Sequence, residues 1–186
     1  MVQSNNLQMF YRLTLILLAI MQIYPCYAGM SAFFTPSKKC ETSIVQRIDK
    51  AEKSIDAAVY AINNKDIVEA LKNAHNRGVK IRILTDKLQA GNRNSKVREL
   101  YDAGIKIRVN SKHKIEHNKF AVFDFNNVVT GSYNWTEPAS DKNSENCLFF
   151  NRNTKTVREY HDRFNYLWQM NTKKKSDAWF KKVKRK

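Results

Sequence analysis

From Ser31 onward, short apolar runs alternate with amphipathic stretches, the rhythm of an α/β architecture. Ala32 to Phe34 reads as a first strand. Apolar positions from Cys40 to Ala51 recur at helical spacing, and SIDAAVYAI at Ser54 to Ile62 reads as a buried strand. Asn64 is placed to cap a helix over Lys65 to Asn76, which Gly78 stops, and VKIRILTD from Val79 to Asp86 alternates as a strand does. After the loop QAGNRN, Ser95 to Ala103 predicts a helix ended by Gly104, and Ile105 to Val109 a further strand. These are two βα units.

The second half changes character. FAVFD and VVTGS flank the turn Phe125-Asn126-Asn127 and predict an antiparallel hairpin, so the sheet is mixed. A polar loop from Thr136 to Ser144 precedes the strand ENCLFF. A long amphipathic helix then runs from about Thr154 to Met170, with Val157, Tyr160, Phe164, Leu167 and Trp168 on its core face. The expected fold is one α/β domain over residues 29–172, a mixed β-sheet flanked by helices, without internal repeat or low-complexity linker.

The two ends differ from this domain. Arg12 precedes the apolar run Leu13 to Ile23, and Cys26-Tyr27-Ala28 offers small residues at the −3 and −1 positions, the pattern of a signal peptide over residues 1–28 cleaved near Ala28. A retained anchor is the alternative, although the run is short of the ~20 residues that span a bilayer. Cleavage implies a secreted or periplasmic protein. Residues 173–186, KKKSDAWFKKVKRK, carry eight Lys or Arg against one Asp and read as a basic C-terminal tail. The tail is either solvated, in contact with nucleic acid, or docked on an anionic membrane through Trp179, Phe180 and Val183.

Charge narrows the partners. Lys and Arg number 33 against 17 Asp and Glu, a formal net charge of +16, which favours a polyanion. With Cys26 lost in the signal, Cys40 and Cys147 remain, either bridged or as two buried thiols. No CxxC or Cys/His cluster suggests zinc, and no carboxylate cluster suggests catalytic magnesium. No cofactor is implied.

The chemistry concentrates in HNKFAVFDFNNVVTGSYN, residues 117–134. On an extended strand His117 and Lys119 point to one face, pairing an imidazole with an ammonium. Such a pair suits phosphoryl chemistry: neutral imidazole is a nucleophile, and a fixed cation stabilises charge on non-bridging oxygens. Ser132 and Asn134 add a hydroxyl and an amide after Gly131, which admits close backbone approach.

This string resembles the HKD signature of the phospholipase D superfamily, HxKxxxxD, then six residues, then GSxxN, here with Asn134 at the third place after Gly131. It is most similar to the short single-motif branch that holds the bacterial endonuclease Nuc and the small secreted phospholipase D proteins of rickettsiae. The resemblance extends through NSEN at Asn143 to Asn146 and back to the strand at Ala32. It implies that His117 attacks phosphorus to give a phosphohistidine, that Lys119, Ser132 and Asn134 bind the phosphate oxygens, and that Glu145 hydrogen-bonds the far nitrogen of the histidine. Asp124, the third motif letter, is carried over as catalytic, although the motif aspartate looks structural as much as catalytic.

A two-step reaction also needs a general acid, hence a second histidine. His75, His113 and His161 lack a lysine two residues on and fall on a helix, a loop and a helix. The second motif is therefore expected from an identical subunit, with the active site at a two-fold homodimer interface. The family resemblance implies no metal. DNA, RNA and phospholipid all present the required phosphodiester; Tyr133 or Trp135 beside the motif either stack on bases or pack in the core. The competing function is a non-catalytic binder of nucleic acid or anionic membrane.

Overall fold

A computed structural model describes residues 29–152 and 154–183; the segment read as a signal peptide lies outside them. The described strands are β1 (Gly29–Phe34), β2 (Ser54–Val59), β3 (Lys80–Thr85), β4 (Lys106–Val109), β5 (Lys119–Phe123), β6 (Asn127–Gly131) and β7 (Asn146–Asn151). The helices are α1 (Lys39–Lys50), α2 (Lys65–Asn76), α3 (Lys87–Ala90), α4 (Val97–Asp102), α5 (Glu137–Asp141), α6 (Thr154–Met170) and α7 (Lys173–Lys182). They form an α/β fold around one seven-stranded mixed sheet in the order β1-β7-β6-β5-β2-β3-β4.

The βα units place β2, β3 and β4 side by side in parallel, and the hairpin adds β5, β6, β7 and β1 in antiparallel fashion. Side-chain alternation then sorts the core. Ile55, Ala57 and Val59 of β2 join Ile44, Ile48, Ile67 and Leu71 of α1 and α2 on one face. On the other face Ala58 pairs with Leu84 and Phe120, and these three meet Phe164 and Leu167 of α6. At helix α2 the Asn64 side chain accepts from the Ile67 amide as expected.

Three stretches depart from expectation. Part of the QAGNRN loop is already helical in α3, because Asp86 accepts from the amides of Leu88 and Gln89. The polar loop after Thr136 contains α5, started by Glu137 and Pro138. The expected tail is no tail at its start: Lys173–Lys182 is helix α7, packed on β4. Phe180 is buried and stacked on Tyr101 at 3.9 Å between centroids, Arg98 donates to its carbonyl, and the Val109 amide donates to Ser176. Burying one such ring contributes about 1.5–3 kcal/mol, which overrides the lysine-rich composition.

Cys40 on α1 and Cys147 on β7 form a disulfide with Cα atoms 6.0 Å apart, closing a loop of 107 residues. Both are fully buried. Replacing both by Ala is expected to cost about 2–4 kcal/mol of stability; an unchanged urea midpoint would refute that.

Asp124 follows β5 with φ 51°, a left-handed position that Asp tolerates. Its carboxylate accepts from three consecutive amides, Glu52 at 3.0 Å, Lys53 at 2.8 Å and Ser54 at 2.9 Å, tying the end of β5 to the start of β2. Asp124→Ala leaves those amides without their acceptor. It should lower unfolding free energy by about 2–3 kcal/mol, with Asp124→Asn, which keeps an oxygen, costing less; equal losses for the two would argue against the anchor.

Candidate active site

The site gathers at the end of the sheet where the parallel strands finish, the position where open α/β sheets bind ligands. Val59, the last residue of β2, pairs with Lys119, the first of β5. Continuing the β5–β6 register sets Lys119 opposite Gly131, which pairs in turn with Cys147. One row across the sheet thus joins the HNK segment, the GSYN turn and the NSEN segment.

Tyr60 organises the histidine and the lysine. The His117 ring meets it edge-on at 4.7 Å between centroids, and the Lys119 ammonium sits 4.8 Å from its ring centre. The Tyr60 amide donates to the Asn118 carbonyl at 2.9 Å, and Gln89 donates to the phenol oxygen. His117 is exposed, and neither ring nitrogen has a hydrogen-bond partner among the described residues. Lys119 donates to the His117 carbonyl at 2.6 Å. Burial lowers the Lys119 pKa, and the negative charges of Glu145 and Glu116 only partly offset this. A partly desolvated cation attracts a phosphate oxygen more strongly than a hydrated one.

The turn beside it is held by main-chain contacts. Gly131 has φ +143°, and a Cβ there would lie 2.3 Å from the Asn146 carbonyl oxygen, so only glycine lets β6 approach β7. That same oxygen accepts from the amides of Ser132 and Tyr133. Ser132 donates to Glu145 at 2.6 Å and accepts from the Asn146 amide at 3.0 Å. Glu145 also accepts from Asn143, and its own amide donates to Thr35 at 2.8 Å. The Asn134 Oδ1 is buried without a partner.

The structure therefore brings together His117, Lys119, Ser132 and Glu145. Asp124 does not join them: it caps the opposite end of β5, ~16 Å away at ~3.3 Å per residue, and its carboxylate is engaged by backbone amides. Glu145 bonds Ser132 and Asn143; among the described residues it makes no hydrogen bond to His117. Tyr133 and Trp135 are core residues, the former donating to Ser140, and offer no stacking face. His75 and His161 line a cavity at the far end of the parallel strands, and His113 is exposed on its loop.

Tyr60, Glu116 and Thr35 belong to the site and escaped the sequence. Glu116 is buried; its amide donates to the Asp86 carboxylate, and its own carboxylate accepts from Asn118. Their only signal was adjacency to motif residues, Glu116 in sequence and Tyr60 through a β2–β5 pairing that the pattern does not specify. Among the described residues no group of three His, Cys, Asp or Glu is placed to hold a metal.

Comparison with known proteins agrees with this geometry. Residues 44–168 match the family described as cardiolipin synthase, PLD-like domain. The chain is 40% identical over 121 residues to a phospholipase D of Rickettsia prowazekii, covering 65% of this chain and 59% of that protein. It is 33% identical over 132 residues to the mitochondrial cardiolipin hydrolase of Chlamydomonas reinhardtii, covering 69% of this chain and 59% of that one. The matched stretch thus spans less than two thirds of these relatives. Among solved structures, the phospholipase D family member Nuc from Salmonella typhimurium superposes with a TM-score of 0.74 at 28% identity, covering 78% of this chain and 97% of Nuc. NucT from Helicobacter pylori shares the fold with a TM-score of 0.72 at 24% identity, covering 78% and 99%. With that family match enclosing the whole His117 to Asn146 segment, the chain belongs to the phospholipase D superfamily as a single-motif member.

Proposed function

We propose that the protein hydrolyses phosphodiesters through a covalent phosphohistidine. The observation that carries this reading is an exposed imidazole, unencumbered at both nitrogens, beside a partly desolvated ammonium on one ring of Tyr60. A His117 nitrogen forms the N–P bond while the leaving oxygen departs and takes a proton from a second histidine. Water then gives its proton to that second histidine and attacks phosphorus, breaking the N–P bond. Lys119 holds the non-bridging oxygens, and Ser132 and Asn134 complete the cradle. Glu145 positions Ser132 and adds negative charge near Lys119.

The second histidine comes from a second copy of the chain across a two-fold axis. This is supported by the placement of His75 and His161 at the far end of the sheet and by the single motif. Export with loss of residues 1–28 is the matching localisation, supported by the buried Cys40–Cys147 bridge, which suits an oxidising compartment.

A lipid head group is the first substrate reading. Leu88 and Ile115 are 77% and 49% exposed, and one carboxylate, that of Asp86, holds the amides of Leu88 and Glu116 together beside the motif. Lys87, Lys112 and Lys114 stand exposed around these apolar tips, a composition that fits an anionic membrane surface. The names of the rickettsial and algal relatives point the same way. Nucleic acid is the second reading, supported by the Nuc likeness and the net charge of +16.

Purified protein offered phosphatidylglycerol vesicles and plasmid DNA in parallel should release head group, and His117→Asn should lose more than about a thousandfold in rate while remaining folded. Nicking without head-group release selects the nucleic-acid reading; no hydrolysis of either, or full activity in His117→Asn, defeats the mechanism.

Because burial lowers the Lys119 pKa from 10.5, its charge is lost at a lower pH than for an ordinary lysine. The profile of kcat/KM should therefore fall on the alkaline side through an apparent pKa below 10.5; a plateau extending past that value would contradict a charged Lys119 as phosphate ligand.

A further inference from the structure

The face of the sheet under α6 carries a second group of cations, away from His117. The strand registers set Asp56, Arg82 and Lys106 in one row and Leu84 and Arg108 in the next. Asp56 is taken by Arg82, which donates to it through two nitrogens at 2.6 and 2.7 Å. Lys106 and Arg108 are left with no carboxylate partner among the described residues. Arg108 lies 4.1 Å from the centroid of the Trp168 ring and donates to the Trp168 carbonyl, while its Nε–H is buried without an acceptor. Burial and the nearby Arg82 charge both lower its pKa.

These groups line a cavity of about 780 Å³ whose further wall includes Tyr101, Lys173 and Asp177. Lys173 and Asp177 neutralise each other at 2.5 Å, so the uncompensated charges in the lining are Lys106 and Arg108. A second cavity of about 400 Å³ shares Arg82, Gly104 and Lys106 and brings Lys80 to the same region. A buried donor without an acceptor is unfavourable, and two like charges held together add to this. An anion entering the cavity would offset the two charges of Lys106 and Arg108.

We infer that this cavity is a second anion site, distinct from the His117 site, and that it takes a phosphoryl group. A guanidinium and an ammonium in one wall can engage several oxygens of a phosphoryl group at once, and Asp56, the carboxylate of the same row, is already taken by Arg82. Lys106 lies three strands from β5, roughly 14 Å at ~4.8 Å per strand. It also points to the opposite face from Lys119, since Lys119 pairs with Val59 of the other core. One phosphate therefore cannot serve both sites. The group is either free phosphate or part of a nucleic acid or lipid whose remaining length lies outside the cavity.

Titrating the full protein with inorganic phosphate while recording Arg Nε–H and Trp indole N–H signals by NMR tests this, because the buried Arg108 Nε–H is shielded from solvent exchange. The Arg108 and Trp168 signals should shift saturably in wild type and in His117→Asn. In Lys106→Gln, which alters an exposed side chain and keeps the fold, the dissociation constant followed at these signals should rise about tenfold; in Arg108→Gln the Trp168 shift should do the same. Absence of saturation, or a saturable Trp168 shift unchanged in both Lys106→Gln and Arg108→Gln, would overturn the site. Adding an oligothymidylate or phosphatidylglycerol vesicles to phosphate-loaded wild type identifies the carrier: whichever displaces phosphate is the source, and displacement by neither assigns the site to free phosphate. The readout is binding, so its failure leaves the proposed hydrolysis untouched, and loss of hydrolysis leaves this site standing.

Discussion

The registration of β5 against β2 is the constraint on which the candidate site depends. Side chains alternate across a strand, so a slip of one residue would turn His117 and Lys119 away and drive Phe120 out of its contact with Ala58 and α6. Asp124 opposes that slip from the far end by binding three successive amides of residues 52–54. The Tyr60 amide, bonded to the Asn118 carbonyl, opposes it from the near end. The motif aspartate thus contributes through position: it sets where the histidine and lysine stand without approaching them.

A buried carboxylate does comparable work for the GSYN turn. Glu41 of α1 accepts from Ser140 at 2.6 Å, from Asn64 at 2.6 Å and from Lys38 at 3.1 Å. Burial pushes its pKa upward, but the hydrogen bonds from Ser140, Lys38 and Asn64 prevail and hold it below the ordinary carboxylate range. Ser140 in turn meets the Tyr133 hydroxyl at 2.6 Å, one residue from Ser132. A chain of polar contacts therefore runs from α1 and α2 through α5 to the turn, satisfied at each step, as buried polar networks require.

Much of this was legible in the sequence. The βα units, the hairpin and the core face of α6 followed from periodicity, since each element shows one buried stripe or one buried face. HNK, GSYN and NSEN marked three of the contributing segments. What escaped was pairing across distance. Tyr60 and Thr35 reach the site only because β2 neighbours β5 and the segment after β1 meets NSEN, and nothing in a strand's pattern names its partner. The C-terminal residues misled for a different reason: eight basic side chains outweigh two aromatics in composition, whereas on helix α7 Ser176 and Phe180 are buried while the lysines from Lys173 to Lys182 stay exposed. The disulfide stayed open for want of geometry, which the β1–β7 pairing and the packing of α1 supply.

The sheet order has a temporal side as well. Among the described residues β1 pairs only with β7, from Gly29 against Asn151 to Phe34 against Asn146, so the first described strand to leave the ribosome finds that partner only when residues 146–151 follow. Until then β1 is a lone strand carrying Met30 and Phe34, both largely exposed even in the finished sheet. Assembly must therefore close from the middle outward, with the parallel unit formed early and the β1–β7 edge closed late. In that interval the unpaired strand is the segment most open to pairing with a neighbouring nascent chain.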